Sequence, residues 1–227
     1  MATINASKWG YSVAPNYSTH AASRGATAGH NAYTATDPTS NIDYAVSYIT
    51  SISRRSSTYS IGRSFFYFDT HGITSTLSAA TLDIAGYSTT SADVIIVPSS
   101  AFGGNGNTAF DKYDYSELTF SPYSAEHPLW GTSNNSISLN AAALTAIKNN
   151  NAFIIALIQY DNDYLDVSSH PTSVTLNSGI AWGTTPVLDY TVAAASGYAN
   201  DVMGVATADI GKVIGVATAN IGKVIGV

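Results

Sequence analysis

The sequence predicts an all-β fold, a sandwich of two sheets that carries one short helix. Three observations lead there. Fifteen Tyr, eighteen Gly and abundant Thr, Val and Ile favour strands joined by tight turns. Short apolar or alternating segments recur between breaks marked by Gly, Pro and Asn, as in a domain of many short strands. Convincing helical periodicity is confined to Asn140–Lys148, just ahead of an apolar run of strand length.

Residues 1–41 hold Ala, Ser, Thr, Asn and Gly with scattered Trp9, Tyr11, Tyr17 and Tyr33, and show neither a strand nor a helix period. They read as an N-terminal arm packed on the main body or on neighbours. Residues 42–193 are the expected sandwich. Asp43–Ile49 and Arg63–Phe68 read as strands, and Ala80–Tyr87 alternates apolar with polar as a half-buried strand does. Asp93–Val97 is a continuous apolar run suited to a central strand, and Gly103–Asn107 is a loop tip. Asn140 caps the helix, Leu144 and Ile147 face inward, and Asn149-Asn150-Asn151 ends it. Ala152–Tyr160 is the most apolar strand; Ser173–Asn177 and Pro186–Val192 complete a set of about eight.

Charge is sparse, at 11% Asp, Glu, Lys and Arg, so hydroxyls and amides must cover the surface. A net charge of −6, with Arg54-Arg55 and nearby Arg63 as the compact basic group, excludes nucleic acid as the main partner. The absence of Cys removes disulfides, thiol nucleophiles and thiolate metal sites together. Met1–Gly10 lacks the basic start and apolar run of a secretory leader, and Phe153–Ile158 is far too short to span a bilayer. An extracellular-looking composition without an export signal fits a virion protein, made in a host cytoplasm and released by lysis. The expected location is therefore the virion surface, with no membrane insertion.

Four segments in order carry a resemblance: RSFFYFDTHGI (Arg63–Ile73), STLSAATLDIAGY (Ser75–Tyr87), SLNAAALTAIKNNNAFIIALI (Ser138–Ile158) and TPVLDYTV (Thr185–Val192). Together they resemble DNRLRE-type jelly-roll domains, relatives of carbohydrate-binding modules, over about Ile42 to Val192. The resemblance implies an eight-stranded jelly roll used for binding, adhesion or structure rather than catalysis. The closing GVATADIGKVIGVATANIGKVIGV (Gly204–Val227) is similar to repeats at the ends of tail, fibre and head-associated proteins of phages.

The catalytic search is sparse. His20, His30, His71, His127 and His170 have no metal-ligand spacing and are expected as exposed loop residues. No Gly-x-Ser-x-Gly elbow activates a serine, so no enzyme is expected. Asp161, Asp163 and Asp166 form the densest carboxylate group; hard oxygens at that spacing suit a calcium ion, and the plainer reading is an acidic turn after a buried strand. Calcium is thus the one cofactor the residues nominate. Tyr113, Tyr115, Tyr123 and Trp130, interleaved with Asp111, Asp114 and Glu117, are the candidate sugar-stacking surface, against simple surface cover.

The repeat has units Val202–Lys212 and Val213–Lys223, and Val224–Val227 opens a third, a period of eleven. An odd period sends equivalent side chains of a continuous strand to opposite faces in successive units, which excludes a plain strand. Eleven residues also suit a right-handed coiled coil, but two glycines per unit cost about 1 kcal/mol each in a helix. The expectation is a single helical turn capped by Thr207 or Thr218, with extended Ile-Gly-Val pieces. Such units cannot bury their apolar side alone. Residues 194–227 are therefore read as an anchoring and oligomerisation segment. Its contacts are Val202, Met203, Val205 and Ile210, then Val213, Ile214, Val216 and Ile221, then Val224 and Ile225.

The expected function is a structural virion protein, a phage head decoration, fibre or tail-associated component, with a homotrimer and other virion proteins as partners. The alternative is an adhesion module that recognises a cell-surface glycan.

Overall fold

The computed structural model describes residues 1–30, 32–33, 46–90, 93–128, 130–168, 175–182, 184–194, 212–213 and 216–217. The chain forms two units, Met1–Val192 and Ala193–Val227. The strands of the first unit are β1 (Ala2–Asn5), β2 (Lys8–Tyr17), β3 (Ala32–Tyr33), β4 (Val46–Ile52), β5 (Ser57–Asp69), β6 (Leu77–Thr90), β7 (Val94–Pro98), β8 (Asn134–Ser138), β9 (Ala152–Gln159), β10 (Thr175–Trp182) and β11 (Val187–Val192). Its helices are α1 (His20–Arg24) and α2 (Ala141–Asn149).

The fold is the expected all-β sandwich of two antiparallel sheets. One sheet runs β1-β11-β6-β8. The other is organised by β5, which pairs β2 along one edge. Its opposite edge is shared by β4, through Ser57–Gly62, and β9, through Ser64–Asp69. β7 continues beyond β9 and β3 beyond β2. β10 joins β4 to the far end of β6, so β6 serves both sheets.

The continuous apolar runs of β5, β7 and β9 follow from burial on both faces, since alternate side chains leave a strand in opposite directions. Phe66, Phe68, Val94, Ile96, Ile155 and Leu157 point between the sheets and meet Leu82, Ile84, Ile137 and Leu188. Phe65, Ile95, Val97, Ile154 and Ile158 point the other way and pack with Phe102 and Phe110 from the segment after β7. That segment also covers the open edge of β7: Tyr123 N–H donates to Ile96 O at 2.8 Å and Thr119 N–H to Pro98 O at 3.0 Å. At its tip Gly106 has φ +79, and a Cβ there would lie 2.4 Å from the Tyr67 ring, so a larger residue does not fit.

Helix α2 starts where expected. The Asn140 side chain accepts from Ala143 N–H at 3.1 Å, and its amide donates to Pro122 O at 2.7 Å. Ala143 and Ile147 are its buried residues, whereas Leu144 lies at the rim of the core. Ile147 faces inward as expected, Leu144 is only partly buried against the core, and the small Ala143 fills the buried position beside it.

The leading segment differs from the expected arm. It packs on the body, as anticipated, but does so as strands β1 and β2 of the two sheets. Its burial does alternate, with Gly10, Ser12 and Ala14 turned inward. These residues are small or polar, so the period is invisible in a hydrophobicity pattern. Strand β8 escaped notice for a similar reason, since Asn135 fills one of its two buried positions.

In the second unit, β12 (Lys212–Val213) pairs antiparallel with β13 (Val216–Ala217), matching Lys212 with Ala217 and Val213 with Val216. Of the Ile-Gly-Val piece expected to run extended, Val216 lies in β13, and Ile214 and Gly215 lie outside the described residues. Thr207 and Thr218, expected as helix caps, lie outside the described residues, as do Val202, Met203, Val205, Ile210, Ile214, Ile221, Val224 and Ile225. Among the described residues no helix is long and apolar enough to cross a membrane.

Candidate functional site

The aspartates expected to hold calcium do not converge on a common point. After β9 the chain makes a π-helical turn over Tyr160–Tyr164, closed by Leu165 N–H donating to Tyr160 O at 2.9 Å. The turn leaves Asp161 exposed and buries Asp163 fully. Arg63 takes both Asp163 oxygens: Nε donates to Oδ2 and Nη2 to Oδ1, each at 2.7 Å. Asp166, at φ +61, faces Arg24 at 3.6 Å and His20 at 3.4 Å instead. Among the described residues no group of three His, Cys, Asp or Glu side chains is placed to hold a metal. The physical reason for the correction is charge: two arginines already neutralise the carboxylates a cation would need.

Arg63 is the centre of this knot. It is 1% exposed and lies 4.3 Å over the Tyr115 ring. Its remaining donors reach Tyr115 O and Arg24 O, both at 2.9 Å. Burial disfavours the Arg63 cation, but the charge and hydrogen bonds of Asp163 outweigh this, so the guanidinium holds its proton more tightly than in water. Tyr115 O–H donates to Ser23 O at 2.9 Å, and burial pushes its phenol pKa up. Arg24 lies 4.1 Å over Phe120 and donates to Asp163 O at 2.5 Å. His20 Nε2–H donates to Asn162 O at 2.7 Å. Arg63, Arg24, Asp163 and Asp166 are engaged with one another and join α1, β5 and the turn after β9, whereas Asp161 stays exposed. The basic group read from the sequence is accordingly divided: Arg54 and Arg55 are exposed on the β4–β5 turn, and Arg63 is enclosed.

The candidate sugar surface is also dispersed. Tyr113 is 60% exposed, but Tyr115 and Trp130 are core residues and Tyr123 is half-buried. Asp111 and Asp114 are occupied with capping the 3₁₀ turn Lys112–Ser116. Trp130 and Tyr123 pack in the core between the sheets and Tyr115 in a separate cluster with Ala14, Tyr48 and Ile61, so these rings share no platform. The expected exposure of the histidines holds for His30 and His71, while His20 is buried and His127 is half-buried with Nε2 enclosed. His170 lies outside the described residues.

On the outer face of the β1-β11-β6-β8 sheet, Asp83 and Asp189 are diagonal neighbours across β6 and β11. A hydrogen bond that the protonated Asp189 donates to the Asp83 carboxylate, burial and the Asp83 charge together raise the Asp189 pKa.

Among the described residues the structure forms a cleft of about 460 Å³ that sequence reasoning missed. Pro98, Ser99, Gly104 and Asn105 come from the end of β7 and the turn after it; Ala146, Asn149, Asn150 and Asn151 come from the end of α2; Tyr123 and the start of β9 complete the lining. No charged side chain lines it. Thr70 fixes the asparagine turn, donating Oγ1–H to Asn150 O at 2.6 Å and N–H to Asn151 O at 3.1 Å. Tyr123 stacks on Phe153 with ring centroids 5.8 Å apart and 16° between planes, and burial raises its pKa, so the phenol stays neutral. Three consecutive asparagines were a legible signal, read only as a helix terminator.

No protein-family model and no curated protein matches this chain. The arrangement of its own residues therefore carries the functional argument: a rigid sandwich, a charge cluster consumed internally, and an uncharged cleft.

Proposed function

We propose that the chain is a non-enzymatic structural protein of a virion, a phage head decoration, fibre or tail-associated component. In this reading the sandwich faces outward and the repeat of residues 194–227 fixes the protein to its particle as a homotrimer alongside other virion proteins. The observation that carries it is the β12–β13 pair within a duplicated, largely apolar repeat whose charges are Asp209, Lys212 and Lys223. Two strands of two residues do not hold themselves in water and need further surface to pack on. Identical units on identical chains meet that need by symmetric association. The likeness of Arg63–Ile73, Ser75–Tyr87, Ser138–Ile158 and Thr185–Val192 to DNRLRE-type jelly rolls supports a display role for the first unit.

Deletion of Met203–Val227, followed by light scattering and thermal unfolding, tests the reading. The full chain is expected at three times the monomer mass, and the truncated chain as a monomer with an unchanged unfolding midpoint. A truncated chain that keeps the mass of the full one overturns it.

A further inference from the structure

We propose that the cleft between the end of α2 and the turn after β7 binds a neutral carbohydrate. Its volume, about 460 Å³, lies in the range of small-molecule sites. Its chemistry is selective. Asn105, Asn149, Asn150 and Asn151 bring four amides to one cleft, and each amide offers a donor and an acceptor on one rigid plane. Sugar hydroxyls likewise donate and accept, so amide and hydroxyl pairs satisfy both partners. The lining has no Lys or Arg to neutralise a phosphate, sulfate or carboxylate, and no Asp or Glu to attract a cation. Tyr123 adds an aromatic surface for the apolar face of a sugar ring.

The site is also built in advance. Thr70 holds both backbone carbonyls of Asn150 and Asn151, and Asn150 N–H is fixed to Ala146 O at 3.0 Å. The side chains of Asn149, Asn150 and Asn151 are exposed on this fixed backbone. The Asn105 side chain accepts from Asn107 N–H at 3.0 Å, which sets its amide plane. Tyr123 is seated on Phe153 and anchored by its own N–H to Ile96 O. The backbone, the Asn105 amide and the Tyr123 ring are thus set before a ligand enters, which leaves the Asn149, Asn150 and Asn151 side chains as the groups to be ordered on binding. The virion reading does not enter this argument, and the deletion that tests that reading leaves the cleft intact.

The test is an array of immobilised neutral and acidic glycans probed with the full chain, with an unrelated β-sandwich as background. Titrations of the strongest soluble glycan then compare the natural chain with Asn149→Ala and Asn151→Ala, both at exposed positions, each checked for an unchanged unfolding midpoint. The expected result is retention of neutral glycans, weakened about fivefold or more by each substitution. Three outcomes overturn the proposal: no glycan above background, retention chiefly of acidic glycans, or titrations that neither substitution shifts.

Discussion

Arg63 and Asp163, 100 residues apart in the chain, meet through two hydrogen bonds of 2.7 Å in a position closed to solvent. Such a pair specifies which parts of the chain belong together more than it adds net stability, because removing two charges from water offsets much of their attraction. Removing one partner is a different matter. Asp163→Ala leaves the guanidinium buried without its counter-charge and is expected to cost about 3–5 kcal/mol in urea unfolding. The paired replacement Arg63→Met with Asp163→Leu is expected to recover most of that loss. A double replacement as unstable as Asp163→Ala alone would show that the arginine contributes through its contacts to Tyr115 and Arg24 instead.

The carboxyl pair Asp83 and Asp189 gives stability a pH dependence of defined sign. The Asp189 pKa is raised in the folded chain, so folding favours its protonated form. That contribution is present at acid pH, below the ordinary Asp value near about 4, and is lost as pH rises through the raised folded value. At neutral pH the two carboxylates repel. Asp189→Asn is expected to stabilise the chain at pH 7 by about 0.5 kcal/mol and to lose that advantage near about pH 3. Thermal unfolding across pH measures it; an advantage that does not shrink in acid contradicts the pairing.

The start of α2 rests on a single side chain. Asn140→Ala removes the cap on Ala143 N–H and the bond to Pro122 O. The expected cost is about 1–2 kcal/mol in denaturant unfolding, with Asn140→Asp recovering the cap but not the second bond. Equal losses for both substitutions would place the effect in the Pro122 contact.

How much of this was legible varies with where each residue finds its partners. β7, β9 and the Phe65–Phe68 part of β5 could be read directly because burial on two faces gives a continuous apolar run, whereas Ser60, Arg63 and Ser64 earlier in β5 are buried polar positions. α2 was legible because Asn140 and the asparagines after Lys148 act within one turn of themselves. β2 was hidden because Gly10, Ser12 and Ala14 present an inward face without large apolar groups. The carboxylates around Asp163 were recognised as unusual, but their partners lie on β5 and α1, and no local pattern announces a contact across 100 residues. Tyr115 and Trp130 show the same limit, since an aromatic ring suits a core and a binding face equally well. The cleft needs three distant segments at once, so only the asparagines at its rim left a trace in the chain.

The pairing of β1 with β11 sets an order of events during synthesis. Ala2 lies opposite Tyr190, so the first strand has no neighbour until nearly all of the first unit has been made. Until then the edge of β6 that receives β11 stays open, and a nascent chain held at that stage offers it to other chains. The repeat begins at Val202, after the closing strand has ended at Val192. Under the proposed function, each copy can thus finish its own sheets before the segment proposed to gather copies emerges, which would separate folding from assembly in time.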